Sequence, residues 1–149
     1  MSEKGTIEFE DGKKYVGELQ NGMPHGTGVI TDGQGGRYEG MFKGGKFHGY
    51  GKLTTADGVT HLGEYCEGVF HGFGELIHPD GTTYKGRFQN GKFDGQGTIV
   101  TPDGKKWVGG FVEGQMSGDG IIILPNGQQV AGSYVDGNFS IKKAQDDAT

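Results

Sequence analysis

Residues 84–106 have the sequence YKGRFQNGKFDGQGTIVTPDGKK, and the same pattern recurs every 23 residues along the chain. Within it, an aromatic residue is followed by glycine two positions later and by a second aromatic residue four positions later. A fixed period of roughly 20 to 50 residues is typical of proteins built from stacked structural repeats. The column that begins each unit keeps its spacing throughout and comprises Tyr15, Tyr38, His61, Tyr84, Trp107 and Val130.

Glycine marks this period most strongly. The chain has 149 residues, of which 33 are glycine, whereas an average protein contains about 7% glycine. Twenty-nine of these glycines fall in fixed columns of the repeat. Because the glycine is periodic, the composition does not indicate a disordered low-complexity chain. The length suits one domain.

Each unit has the pattern of a β-hairpin. Residues 84–89 alternate between rings or glycine and polar side chains, as a half-buried strand does. We expect a six-residue, glycine-bounded loop over 90–95, a second strand over 97–101, and a turn at residues 102–104. The predicted fold is all-β, an elongated, twisted, single-layer antiparallel sheet of consecutive β-hairpins. With an N-terminal strand over 5–9, six first strands and five second strands, the sheet would be roughly 55 Å long.

The repeat divides the chain into an array and a tail. The array covers residues 1–139 and consists of a partial N-terminal unit followed by units that start at residues 15, 38, 61, 84, 107 and 130. The sixth unit lacks the Gly-x-Gly that follows in the others. We therefore expect the array to end at Phe139 and residues 140–149 to form a polar C-terminal tail.

These columns resemble the MORN (membrane occupation and recognition nexus) repeat, whose pattern is Tyr-x-Gly-x-aromatic, then Gly-x-x-His-Gly-x-Gly and a late Asp-Gly. In the second unit it is carried by YEGMF at 38–42, GKFHGYG at 45–51 and DG at 57–58. The resemblance extends from Gly5 to about Phe139. It departs from the pattern at His61 and Val130, which replace the leading aromatic residue.

The resemblance implies a fold and a mode of use, and it implies no reaction. MORN arrays are similar to one another as elongated single-layer sheets with a groove, and members act as scaffolds for partner segments in cytoskeletal, ciliary, junctional and myosin-linked settings. It therefore implies a non-enzymatic scaffold or adaptor associated with the cytoskeleton or a cilium. We expect a cytoplasmic location because the N-terminal segment lacks a signal-peptide core and a lone cysteine fits a reducing interior. Some members have been proposed to bind acidic phospholipids, so peripheral lipid binding is an alternative.

Composition and spacing exclude other classes of site. The formal net charge of −5 gives no basic footprint for nucleic acid. Cys66 is the single cysteine and has no partner for an internal disulfide, and the N-terminal segment lacks the apolar core of a signal peptide. Equivalent histidines such as His25 and His48 would lie ~10 Å apart along the sheet, too far to share one metal ion. We expect no metal, no cofactor and no catalytic residues.

The aromatic face of the predicted sheet is the candidate binding surface. A single-layer sheet has no second layer to bury a whole face, and exposed apolar patches mark binding sites. We expect a groove that binds a helical or extended segment of a partner protein. The alternative is that the rings only cover the repeat glycines and one another. The predicted partner-binding residues are Tyr15, Tyr38, Phe42, Tyr65, Tyr84, Phe88, Trp107 and Phe111.

The C-terminal edge of the sheet is a second candidate surface. Residues 130–135 carry no charge, whereas edge strands are commonly protected by charges. We expect this edge to pair with its own tail, with a partner, or with a second copy in a homodimer through Val130, Tyr134 and Val135.

Contact with acidic lipids is disfavoured because 19 Asp and Glu outnumber 14 Lys and Arg.

Overall fold

The structure is a computed structural model, and it describes residues 3–141. Over these residues it contains 13 β-strands and no helix. The strands form one sheet in which each strand pairs with its neighbours in sequence, and all pairs are antiparallel. The predicted antiparallel sheet of consecutive hairpins is confirmed. The strands are β1 Glu3–Glu8, β2 Lys14–Gln20, β3 Met23–Thr31, β4 Arg37–Lys43, β5 Lys46–Thr54, β6 Thr60–Cys66, β7 Val69–Ile77, β8 Thr83–Gln89, β9 Lys92–Val100, β10 Lys106–Val112, β11 Gln115–Ile123, β12 Gln129–Val135 and β13 Asn138–Ile141.

The hairpin within each unit is tighter than the sequence pattern indicates. Gln89 pairs with Lys92, so Asn90 and Gly91 alone form the turn, with φ angles of 52° and 82°. A two-residue type I′ turn requires positive φ at both central residues, and Asn-Gly is its preferred sequence. The six-residue loop predicted over 90–95 is therefore wrong.

The residues predicted as loop belong to a strand with an irregular register. The β8–β9 ladder shifts between Gly86 and Phe88, so that β9 accommodates two extra residues. Because the shift is an even number of residues, Phe93 stays on the same face as Tyr84. The two rings stack with their centroids 3.8 Å apart. The same register shift occurs at the equivalent position in the first, second, third and fifth units.

The turn between units follows the predicted chemistry. Thr101 donates its backbone N–H to the Lys105 carbonyl at 2.9 Å, and Gly104 donates to the Thr101 carbonyl at 2.9 Å. The Asp103 carboxylate accepts a hydrogen bond from the Lys105 backbone N–H at 3.1 Å. Gly104 has a φ of 89°, which glycine adopts without strain. These contacts reverse the chain and begin the next unit.

The core consists of aromatic rings that lie on glycine backbone. The Tyr84 ring covers Gly86 and Gly97, which face each other across the ladder. A Cβ at Gly97 would lie 2.6 Å from the ring, and one at Gly86 would lie 2.6 Å from the Gly97 Cα. Neither position has room for a side chain, so the predicted coverage of glycine by rings is confirmed.

The hydroxyl group of the leading tyrosine donates a hydrogen bond at the point where the register of the ladder shifts. Tyr84 donates its hydroxyl to the Arg87 carbonyl at 2.8 Å, and Tyr38 donates to the Met41 carbonyl at 2.8 Å. Both carbonyls lie at the register shift. Burial raises the pKa of Tyr38 and of Tyr84 to about 12. Both hydroxyls therefore stay protonated at neutral pH and remain donors.

The array extends past the residue at which the pattern predicts its end. β13 pairs with β12, with Phe139 opposite Tyr134 and Ile141 opposite Gly132. Ser140 and Ile141, which the pattern places in a polar tail, thus belong to the sheet. The rest of the predicted tail lies outside the described residues.

Candidate functional site

The eight aromatic residues predicted to bind a partner lie together on one face of the sheet and form its core. Their side chains are 0% to 4% exposed. They pack edge to face along the array, as in Tyr38–Phe42 and Tyr84–Phe88, whose ring centroids are 5.1 Å apart. The rings therefore cover the repeat glycines and one another, which was the alternative expectation. Their direct contact with a partner stays a prediction.

A second set of apolar residues lies over these rings and is only partly buried. Phe47 and Phe93, for example, stack on the buried tyrosines at 3.8 Å between ring centroids. We call the surface formed by this set the aromatic face. The set comprises Ile7, Leu19, Ile30, Phe47, Leu53, Leu76, Phe93, Ile99, Met116, Ile122, Tyr134 and Phe139.

Hollows lie in two parts of the aromatic face. One hollow, of about 240 Å³, is bounded by Ile30, Phe47 and Leu53 in the first half of the array. Another, of about 420 Å³, is bounded by Phe93, Ile99, Met116 and Tyr134 towards the C-terminal end. In the sequence, Ile30, Leu53 and Ile99 occupy one apolar column of the second strand, which recurs every 23 residues, and Met116 lies outside that column.

The third unit is built differently because His61 replaces the leading aromatic residue. There the Phe70 ring lies on the glycine pair instead, and a Cβ at Gly74 would lie 2.6 Å from it. Phe70 is 6% exposed. The equivalent Phe93 stacks on Tyr84 instead. One aromatic residue per hairpin thus covers the glycine pair. When the first strand has no ring at the leading position, a phenylalanine of the second strand covers the pair instead.

The sixth unit shows the same replacement. Val130 stands in the leading position, and the Phe139 ring of β13 lies over Gly132. The sequence signal for this exchange was a column that holds Phe70 and Phe139 in the two units without a leading ring. The pattern did not reveal it, because the same column also holds phenylalanine in units that keep their tyrosine.

Two buried polar groups of the third unit have no hydrogen-bond partner within residues 3–141. They are the Tyr65 hydroxyl and the His61 Nδ1 atom. Burial raises the pKa of Tyr65 above its usual value. Burial, with a smaller contribution from His78, lowers the pKa of His61. The ring of His61 stands edge-on to Phe70, with centroids 5.2 Å apart.

The strand predicted as the C-terminal edge is an interior strand of the described sheet. β12 pairs with β11 on one side and with β13 on the other. The chain's own continuation is therefore what covers this strand. Val135 remains 64% exposed, while Val130 and Tyr134 are half-buried. Self-association through these three residues stays a prediction.

The face of the sheet opposite the buried rings, called here the opposite face, carries two exposed aromatic side chains. Tyr50 is 68% exposed and Phe73 is 61% exposed. Beside them lies a hollow of about 710 Å³, whose lining includes Leu62, Lys52 and Glu75. The sequence pattern had indicated a polar face here. The missed signal is the middle residue of Gly-x-Gly, which is aromatic only in the second and third units.

Three further observations concern the chemistry of the site. No group of three or more histidine, cysteine, aspartate or glutamate side chains within residues 3–141 is placed to hold a metal ion. Across the same range, no helix is long and apolar enough to cross a membrane. Cys66 is a free, exposed thiol.

Two solved structures from Drosophila melanogaster are similar to this chain. The SAS-4 (dCPAP) TCP domain, in complex with a proline rich motif of Ana2 (dSTIL), is 18% identical; the match covers 95% of this chain and 90% of that chain, with a TM-score of 0.45. The TCP10c domain of Sas-4 is 21% identical, with 86% of this chain and 97% of that chain covered and a TM-score of 0.39. No curated protein sequence matches the chain.

The family comparison agrees with the hairpin array seen in the structure. The MORN repeat model matches five consecutive segments, at residues 15–37, 38–60, 62–83, 84–106 and 107–129. Each segment contains the ring and the facing glycines described above, and all but the first one or two residues of the two strands of its hairpin. The strands β12 and β13 continue the array beyond the matched segments. With well over half of its residues matched in register with its hairpins, the chain belongs to the MORN repeat family.

Proposed function

We propose that the protein is a non-enzymatic scaffold that binds a segment of a partner protein across its aromatic face. The observation that carries the proposal is the set of apolar residues that pack on the buried rings and remain partly exposed. Residues 3–141 form one sheet, so no second layer of these residues covers that face. An apolar surface of this extent marks a binding site.

The buried rings and the partly exposed residues have different parts in this proposal. The buried rings, such as Tyr38 and Phe42, form a rigid floor, because each is held edge to face by its neighbours. The partly exposed residues, such as Phe47 and Leu53, offer the atoms that a partner touches. A surface that is already ordered loses little conformational entropy on binding. The eight residues predicted to bind a partner thus act mainly by positioning the contact surface.

The dimensions of the face suit a long segment that runs across the strands. Ile30 on β3 and Tyr134 on β12 are separated by nine strand intervals, or about 43 Å at ~4.8 Å each. A helix of about 29 residues has that length. A helical partner would place apolar residues at positions i, i+3, i+4 and i+7, and an extended partner would place alternate side chains in the hollows.

Family membership supports a setting for this scaffold. MORN proteins act in cytoskeletal, ciliary, junctional and myosin-linked assemblies, so we propose a cytoplasmic location associated with the cytoskeleton or a cilium. The net charge of −5 and the four exposed ion pairs between lysine or arginine and carboxylates in the described chain favour a protein partner over an acidic lipid surface.

The experiment is affinity capture from the source cell with two variants. Leu53→Gln combined with Ile99→Gln places two polar side chains on the aromatic face and leaves every buried ring in the sequence. Val108→Gln is the matched control, since it makes the same kind of change on the opposite face, where Val108 is 39% exposed. Circular dichroism must show that both variants keep the fold. Loss of the partner only in the double variant supports the proposal, and retention of the partner in that variant overturns it.

A further inference from the structure

The opposite face carries a line of five residues with an ordered sequence of charges. Across β4 to β8, each of the five faces the next on the neighbouring strand. Their order gives negative, positive, apolar, negative, positive, at intervals of about 4.8 Å. We call this line the central row, and it consists of Glu39, Lys52, Leu62, Glu75 and Lys85.

We propose that the opposite face binds a second copy of this chain, through a two-fold axis that runs parallel to the strands above Leu62. A half-turn about this axis reverses the central row, so that Glu39 faces Lys85 of the second copy. It also sets Lys52 against Glu75 of the second copy. Both contacts occur twice, as in any isologous interface. All four place opposite charges together.

The charge order also selects this axis over the other two-fold arrangement. A half-turn about an axis along the central row would place each residue of the row against itself. Glu39 would then face Glu39, and Lys52 would face Lys52. Like charges placed opposite each other across an interface are strongly unfavourable. The self-complementary order therefore fits two arrays that lie antiparallel to each other.

The exposed aromatic residues obey the same symmetry. Tyr50 on β5 and Phe73 on β7 lie on either side of β6, one residue row away from the central row. The half-turn brings Tyr50 against Phe73 of the second copy, and Phe73 against Tyr50. The hollow of about 710 Å³ next to these side chains gives the incoming rings space to interdigitate. Aromatic residues are enriched in the centres of protein interfaces.

The charges that the interface needs are available. Within residues 3–141, Lys52, Glu75 and Lys85 form no ion pair with another side chain, and Glu39 pairs only with Arg37, at 3.2 Å. Glu64 lies on β6 like Leu62, so the axis brings its carboxylate close to the Glu64 carboxylate of the second copy, and the two negative charges repel each other.

The position of the Glu64 carboxylate reduces that repulsion. It accepts a hydrogen bond from Tyr50 at 3.1 Å. One of its oxygens also lies over Gly72, 2.6 Å from where a Cβ of that residue would be. One carboxylate oxygen thus lies on the β7 side of the axis above Leu62, and the hydrogen bond from Tyr50 on β5 stabilises the charge.

The contact is small, so the dimer is weak. Five strands at about 4.8 Å give a width of about 24 Å, and three residue rows at about 6.8 Å give a depth of about 20 Å. This is a few hundred Å² per copy, below the roughly 800 Å² of a standard stable interface. We expect a reversible dimer that forms only at high protein concentration and weakens with added salt.

Charge reversal tests the proposal by sedimentation equilibrium on the full chain. Lys52→Glu alone and Glu75→Lys alone should each prevent self-association, since each sets two like-charged pairs against each other. A 1:1 mixture of these two variants should form a heterodimer. There the introduced glutamate of one chain faces the introduced lysine of the other, and the unchanged Glu75 of the first faces the unchanged Lys52 of the second. The double variant carrying both substitutions should associate as the wild type does.

The outcomes separate this surface from the alternatives. The proposal is overturned if the wild type stays monomeric at the highest soluble concentration, or if the single variants associate normally. It is also overturned if mixing the folded single variants restores nothing. Val135→Lys with Ile141→Lys changes the C-terminal end only and should leave the dimer intact; loss of the dimer there would assign association to the sheet edge. Partner capture on the aromatic face should be unaffected by the Lys52 and Glu75 variants, so the two proposals fail independently.

Discussion

Replacing Phe70 by alanine should destabilise the protein far more than the same replacement of Phe93, although both occupy the same column of the repeat. Phe70 is 6% exposed, and its ring packs against Tyr65 and Phe88 with centroids 4.8 and 4.3 Å away. It is also the ring that covers the Gly63–Gly74 pair, because His61 does not. Truncation of a buried phenylalanine costs about 3–5 kcal/mol. We expect Phe70→Ala to lower the free energy of unfolding by about 4 kcal/mol.

Phe93 is the matched control for that change. It is half-buried and stacks on Tyr84, which still covers its own glycine pair when Phe93 is removed. The loss is then the stacking on Tyr84 and the looser edge contacts with Phe88 and Phe111. The stacked pair contributes about 0.5–1.5 kcal/mol, and with the partial burial of the ring the total is about 2 kcal/mol. Urea titrations followed by circular dichroism and by fluorescence of Trp107 measure both values. Equal losses for the two variants would refute the assigned role of Phe70.

A rescue variant tests the mechanism more directly. His61→Tyr restores the leading ring that the other units use to cover glycine, as Tyr84 does. Added to Phe70→Ala, it should recover about half of the lost stability, since a tyrosine ring again lies on the glycine pair. In the wild type the same substitution should destabilise, because Phe70 already fills that space. If His61→Tyr has the same effect in both backgrounds, the two rings do not compete for the glycine pair.

Three further predictions follow from the rings and their polar groups. Tyr65→Phe should raise the free energy of unfolding by about 1 kcal/mol, because it removes a buried hydroxyl that has no partner among residues 3–141; a lower urea midpoint would contradict this. Gly97→Ala should lower the free energy of unfolding by more than about 2 kcal/mol, because the new Cβ would clash with the Tyr84 ring. At Gly91 a Cβ would have no neighbour within 4 Å, but the φ angle is 82°. Gly91→Ala should therefore lower the free energy of unfolding by only about 1–2 kcal/mol. Burial and His78 lower the pKa of His61 in the folded state, so the unfolded state binds more protons as the pH falls below about 6.5. The melting temperature should therefore fall from that pH down to the folded pKa, and His61→Phe should remove this part of the dependence; an unchanged pH profile would show that His61 is not its source.

The fold was predictable from the sequence because its determinants are local and repeated. The alternation over 84–89 and the glycines at fixed spacing specify a strand and the ring-on-glycine packing without reference to distant residues. The hairpin turn was harder, because the polar residues Lys92 and Asp94 suggest a loop although they lie in β9. Phe70 takes the place of the ring that is absent at position 61. This depends on three-dimensional packing, which cannot be inferred from a sequence column in which most units have phenylalanine.

The candidate surfaces were predictable only in part. The aromatic column correctly indicated which face is apolar, but burial depends on how neighbouring rings pack, so the pattern could not separate the floor, such as Phe42, from the contact surface, such as Leu53. The opposite face was missed for a different reason. Tyr50 and Phe73 break the repeat in only two units, and a search for periodicity discards what does not recur.

The strictly sequential order of the 13 strands has a mechanical consequence. The first and last described strands lie at opposite ends of the sheet, so a pull applied to the two ends acts across the strands and loads one ladder at a time. Each unit would then peel from the end of the array as a hairpin, while interior ladders stay closed until the strand beside them is released. Under tension such a chain lengthens in steps of one repeat, at forces set by a single hairpin and not by the sheet as a whole.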